Sequence, residues 1–347
     1  MPLLNAGNRL SPWIVVLLAV VLAVPACSSD PSDTATPPTI APARAADSPP
    51  VTNRPDGVVW PLAGRAQAAI VDAASGSLAV LAPGPAGGSQ VTVFSRSGGI
   101  TATVPLPVAA TALAGDDDGH VYAAARGGYH RIDLATGGAT EIRVEGQPDT
   151  EFTAIARRAD GRMVLGSADG AVFTLNSDGT VAAQLKIFAR VDELATQGNT
   201  VVVLDRAQTS VTSLSETGAE REQSLRAGEG ATTMVADSAG RVLVADTRGE
   251  GLLVFGTDPL ILRQRYPVRD APYGLAGSST LAWVSQTAAN SVIGYDLATG
   301  IPVEKVRYRT VRQPNSLAYD ETSGTLYVVS GTGAGVQVIP DAAKGRR

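Results

Sequence analysis

Cysteine is nearly missing from this sequence: Cys27 is the only one in 347 residues. No disulfide can form within the chain, so an exported fold made from it must hold without cross-links. Histidine occurs twice, at His120 and His130, with no cysteine near either and no zinc-site spacing. A serine–histidine–aspartate triad would have to use one of these two, and no G-x-S-x-G segment surrounds a serine. Lysine is limited to Lys186, Lys305 and Lys344, so arginine carries the positive charge. The net charge of −5 excludes the basic footprint of a general nucleic-acid binder. Aromatic residues make up only 5% of the chain.

What is present begins with an unbroken apolar run over residues 13–24, preceded by Arg9 and followed by Pro25-Ala26-Cys27. A positive start, a short apolar stretch and small residues before a polar tract make a secretory signal. The run is shorter than the roughly 20 residues that span a bilayer. Val24-Pro25-Ala26-Cys27 resembles the lipobox of bacterial lipoproteins, with Pro25 departing from its usual small residue. The resemblance implies cleavage before Cys27, acyl chains on that cysteine, and an extracytoplasmic protein anchored to the cell membrane by lipid. The arginine-for-lysine bias looks like that of a GC-rich genome and points to an actinobacterial lipoprotein. The expected organisation is therefore a signal peptide over 1–26, a tether over 27–56 and a folded domain over 57–347.

The tether is rich in Pro, Ser, Thr, Ala and Asp, with Ile40 and Val51 as isolated large apolar residues. Such a segment buries too little surface to offset its ordering entropy and is expected to be a disordered, semi-extended spacer.

The remainder repeats. Ala69-Ile70-Val71-Asp72, Leu113-Ala114-Gly115-Asp116, Ile155-Ala156-Arg157-Arg158 and Leu194-Ala195-Thr196-Gln197 align with Met234-Val235-Ala236-Asp237, Leu275-Ala276-Gly277-Ser278 and Leu317-Ala318-Tyr319-Asp320. These segments recur roughly every 40 residues, each followed by a polar or glycine turn and two or three further short apolar strands. Four antiparallel strands per unit, seven times over, predict an all-β seven-bladed β-propeller. The seventh unit has three strands before the chain ends. Gly57-Val58-Val59-Trp60-Pro61-Leu62-Ala63 precedes the first unit without a partner and is expected to complete the seventh blade as its outer strand.

Asn290-Ser291-Val292-Ile293-Gly294-Tyr295-Asp296-Leu297-Ala298-Thr299-Gly300 resembles YVTN-type propeller repeats. The stretch from Val242-Leu243-Val244-Ala245-Asp246 through Leu252-Leu253-Val254-Phe255 resembles the NHL repeat. Both resemblances imply a fold and not an activity.

In a propeller, the loops leaving each fourth strand and those joining second to third strands share one face, around the mouth of the central channel. The candidates there for binding a ligand or partner are Glu151, Asp192, Arg206, Asp246, Arg248, Arg269, Asp270, Tyr273, Arg312 and Asn315. Interleaved arginines and carboxylates suit a polar small molecule or a protein with its own charge pattern. Asp116-Asp117-Asp118-Gly119 lacks the alternating acids and distal Glu of a calcium loop and fits a tight turn. No glycine-rich stretch opens a helix as a dinucleotide site requires, and no metal or cofactor is expected. The sequence favours a binding or scaffolding module of the cell envelope. The alternative is a lactonase-like or lyase-like enzyme working at the channel mouth.

Overall fold

The computed structural model describes Pro2 and residues 38–345; the signal segment, Cys27 and the first part of the tether lie outside the described residues. Among the described residues, twenty-eight short strands form seven antiparallel sheets of four. The inner strands are Ala68–Val71, Ala110–Gly115, Phe152–Arg157, Glu193–Gln197, Ala231–Ala236, Pro272–Gly277 and Pro314–Asp320, in blades one to seven. Each touches the inner strand of the next blade, and Pro314–Asp320 touches Ala68–Val71, so the ring is closed. The protein is a seven-bladed β-propeller.

Hydrophobic patterning explains the layering. Second and third strands lie between two neighbouring blades and must be apolar on both faces. Leu78–Pro83, Ala282–Gln286 and Thr325–Ser330 are accordingly buried almost throughout. Outer strands have a solvent edge and alternate or are polar, as in Val181–Lys186 and Arg221–Arg226. The core is therefore divided into seven clusters, one per blade interface. Between blades one and two, Leu81, Val91 and Val93 meet Val121, Ala123 and Ile132.

Closure occurs where the repeat pattern placed it. Val58–Trp60 pairs antiparallel with Val336–Ile339, in the register Val58 to Val338 and Trp60 to Val336. Trp60 then stacks on Phe94 of blade one at 5.5 Å and tilts against Tyr327 of blade seven at 5.8 Å. Gly98 (φ +104°) leaves room for it, because a Cβ there would come within 2.7 Å of the indole.

Polar groups tie blades together on the face opposite the channel-mouth loops. The Gly119 amide donates to Asp72 Oδ1 (3.0 Å) and the Ala73 amide to Asp117 Oδ1 (3.2 Å), joining blades one and two. Arg96 pairs with Asp320 at 3.0 Å across the closing interface. The Asp116–Gly119 stretch is a hairpin turn: the Asp116 carboxylate accepts from the amides of Asp118 and His120, from Tyr122 Oη and from the His120 ring. Blade three replaces the turn aspartate with Arg158, which is buried, ion-paired with Asp160 and donates to the Glu216 carbonyl of blade four.

Candidate functional site

On the mouth face, several second strands end in a polar side chain that organises the loops. Asp205 is fully buried; its carboxylate accepts from the amides of Ala189, Arg190 and Gln208. Asp246 does the same in blade five, accepting from the amides of Glu229, Gly230 and Gly249. Asp246 is thus a loop-folding residue with no oxygen aimed at solvent, unlike the ligand group its charge suggested. In blade six, Ser285 Oγ donates to the Pro314 carbonyl at 2.6 Å.

These loops hold up a cluster over blades four to seven. The Arg206 amide donates to Asp192 Oδ2 at 2.8 Å, and Asp192 also pairs with Arg190 at 3.3 Å. Beneath them, on the inner strand, Glu193 accepts from the Met234 amide of blade five. Burial pushes the Glu193 carboxyl up to about 8 and raises the Asp192 carboxyl and the Tyr273 phenol. Arg206 opposes the rise in all three, so Asp192, Glu193, Arg206 and Tyr273 form one electrostatic group.

The principal feature of this face is a segment of the chain itself. Residues 38–56, expected from composition to be free spacer, carry no regular secondary structure and lie against the loops. The Ile40 amide donates to the Ala207 carbonyl at 2.8 Å. Arg248 Nη2 donates to the Ala41 carbonyl at 2.7 Å, and Arg206 Nη2 donates to the Ala43 carbonyl. Farther along, the Ala46 amide donates to Thr287 Oγ1 (3.1 Å) and the Ala46 carbonyl accepts from Gln313 Nε2 (2.9 Å). Arg312 Nε donates to the Ser48 carbonyl (3.2 Å) and Asn290 Nδ2 to the Pro49 carbonyl (2.8 Å). Asp56 ends the path: its carboxylate takes the Arg309 amide at 2.7 Å and pairs with the Arg309 side chain at 3.2 Å.

Composition missed this because it counts apolar surface alone. Here the ring supplies hydrogen bonds to the segment's main chain, which the segment's own side chains do not advertise. Only Ala43 and Ser48 are buried, while Pro42, Arg44, Asp47 and Pro49 are exposed. Ala43 fits against Gly230, where an added Cβ would stand 2.9 Å from the alanine methyl.

Of the sequence-predicted residues, Arg206, Arg248 and Arg312 meet on this segment, with Asp192 and Tyr273 beside Arg206. Asn315 supports it indirectly, its Oδ1 accepting from Gln313 Nε2 at 3.0 Å. Arg269 and Asp270 are exposed, and their carbonyls accept from Gln286 Nε2 and the Ala288 amide. Glu151 stands apart, bridged to Arg126 between blades two and three. Sequence reasoning did not single out Thr287, Asn290 or Gln313. The usable signal was their position: uncharged hydrogen-bonding side chains in mouth loops.

Both histidines lie in blade two, away from this cluster. His120 begins the second strand at the turn face, where its Nδ1 meets Asp116 at 3.0 Å. His130 is buried in the third strand, and burial lowers its pKa.

No family model matches the chain, and no curated protein matches it. Solved structures do. A streptogramin B lyase aligns with TM-score 0.67 at 12% identity, over 83% of this chain and 97% of that one. A hydrazine synthase from Kuenenia stuttgartiensis aligns with TM-score 0.67 at 14% identity, over 82% and 98%. A catalytically inactive histidine-to-alanine variant of virginiamycin B lyase from Staphylococcus aureus, with quinupristin, gives 0.66 at 12% identity, over 82% and 98%. At such identities the likeness is one of fold alone.

Proposed function

We propose that this protein is a lipid-anchored, extracytoplasmic binding module whose working surface is the loop face over blades four to seven. The observation that carries the reading is the convergence of Arg206, Arg248 and Arg312 on that face, each spending a guanidinium hydrogen bond on main-chain carbonyls rather than on a ring carboxylate. A rigid ring presents them, and rigid presentation of polar donors favours recognition. The anchor is assigned to Cys27 from its lipobox-like surroundings. Ile40 and Ala41, near the start of the described segment, lie on this same face, at blades four and five.

An enzyme at the mouth is the weaker reading. The lyase variant among the structural neighbours is inactive with a histidine replaced, whereas here neither histidine is on the mouth face. The proposal is tested by reversing Arg248 and Arg269 together to Glu, in blades five and six. Capture of envelope proteins should fall at least about tenfold with the melting curve preserved. An unchanged capture profile with a wild-type melt would move the binding surface elsewhere.

A further inference from the structure

The loop face does not merely carry charge; it is built around the backbone of an extended chain. We propose that it is a binding site for an extended polypeptide segment, and that residues 40–49 occupy this site in cis. The inference rests on the binding-module reading and adds the chemical class of the ligand.

Three observations carry it. First, recognition is of main chain: the carbonyls of Ala41, Ala43, Ala46, Ser48 and Pro49 accept from Arg248, Arg206, Gln313, Arg312 and Asn290 in that order. Amides are met too, Ala46 by Thr287 and Ser48 by Gln313 Oε1 at 3.0 Å. Donors and acceptors from four separate loops thus match the spacing of one extended chain. Main-chain bonds of this kind give affinity, while pockets for particular side chains give specificity.

Second, there are two such pockets. Ala43 is buried against Gly230, where any side chain on the glycine would press on the alanine methyl, so the two small residues fit as a pair. Ser48 is 3% exposed; its hydroxyl donates to the Thr287 carbonyl (2.6 Å) and accepts from the Gln313 amide (3.1 Å). Gln313 holds φ at +57°, a left-handed conformation that costs energy in a non-glycine residue and is often found at ligand clamps. The site therefore reads a small residue and, five positions later, a serine, with Ala45 and Ala46 half-buried and the remaining side chains exposed. A proline-containing partner segment suits it, since a preformed extended backbone loses less entropy on binding.

Third, the occupant is suited to leave. It belongs to no sheet, and it contributes no large side chain to any of the seven core clusters. The ring is closed independently by Val58–Trp60, so displacement of 40–49 leaves every blade intact. Being covalently attached, the segment has a high effective concentration and acts as a competitor that a partner must displace.

The experiment uses a fluorescein-labelled peptide with the sequence of residues 38–51, read by anisotropy. In the full chain, Ser48→Asp places a charge in the Ser48 pocket and should free the segment, seen as faster tryptic cleavage after Arg44. The peptide should bind this variant at least about tenfold tighter than wild type, and Gln313→Ala added to it should abolish that gain. A variant lacking residues 40–49 should behave as Ser48→Asp does and stands in for it if cleavage at Arg44 does not accelerate. No binding to the folded deletion variant, binding no better than that of a scrambled peptide, or equal binding to wild type and deletion variant would each overturn the proposal. If the deletion variant ignores the peptide yet still captures envelope proteins through Arg248 and Arg269, the ligand class is wrong and the binding module stands.

Discussion

Ser48 and Gln313 bind each other reciprocally: the Ser48 amide donates to Gln313 Oε1 at 3.0 Å, and the Gln313 amide donates to Ser48 Oγ at 3.1 Å. Both residues are buried, so each bond is shielded from water. This pair is the one place where a side chain of residues 40–49 and a side chain of the ring each bond the other's main chain.

Ser48→Ala should therefore loosen residues 40–49 without unfolding the ring. It removes two hydroxyl bonds: the Thr287 carbonyl loses the Ser48 hydroxyl, and the Gln313 amide keeps only the longer contact to Asn290 Oδ1 at 3.3 Å, a cost of about 1–3 kcal/mol. That cost falls on local opening, not on the blades. Amide exchange over residues 40–49 should accelerate at least about tenfold while the melting temperature moves by only a few degrees. A melt lowered as much as by loss of the closing strand would show that the segment is structural.

Loss of closure is a different matter. Trp60→Ala removes the ring that stacks on Phe94 and meets Tyr327, at the one interface whose blade is assembled from both ends of the propeller. Truncating an aromatic side chain in such a place costs about 3 kcal/mol. The melt should fall by roughly 5 °C or more, and deletion of residues 57–63 should cost more still. Deleting residues 28–50 should be far milder, because among the described residues it removes no strand of any blade and no member of the core clusters. Calorimetry of the three variants side by side checks the order.

The repeats made the ring legible because an interior strand between two blades is apolar on both faces, and this pattern recurs at a fixed period. Val58–Trp60 was legible for the same reason: a strand without a partner faced a blade without its fourth strand. Arg221–Arg226 was not, since an outer strand with solvent on one side needs no apolar alternation. At the site, charge located Arg206, Arg248 and Arg312, but charge alone does not separate a solvent-facing carboxylate from one that folds a loop, as Asp246 shows. The Ser48–Gln313 pair joins residues 265 positions apart through uncharged groups, and no local pattern in either stretch records it.

Cys27→Ala should move the protein from the membrane fraction to the soluble fraction, or leave an unprocessed precursor. One acyl chain gives marginal attachment, so a stable anchor requires the multiple chains that a lipoprotein cysteine carries. Detergent-phase partitioning and the mass of the amino-terminal peptide are the readouts. Partitioning identical to wild type would refute the anchor at Cys27.

The last prediction concerns pH. Glu193 has an ordinary carboxyl value of 4.5 and is pushed up to about 8 by burial, against the Met234 amide and Arg206, which favour its ionised form. The folded protein then holds a proton on Glu193 that the unfolded chain has released, throughout the window between those values. Stability falls with rising pH wherever the native state binds more protons. The contribution of Glu193 is complete below about pH 4.5 and is lost as pH climbs through 8. Glu193→Gln keeps an oxygen for the Met234 amide but cannot ionise. Its melting temperature should match wild type near pH 4.5 and exceed it by about 2 °C or more at pH 9. A constant difference across that range would mean that the carboxylate is solvated by channel water and ionises normally. Asp192→Asn serves as the comparison: burial also raises that carboxyl, against Arg206 and Arg190, so this variant too should gain on wild type as pH rises.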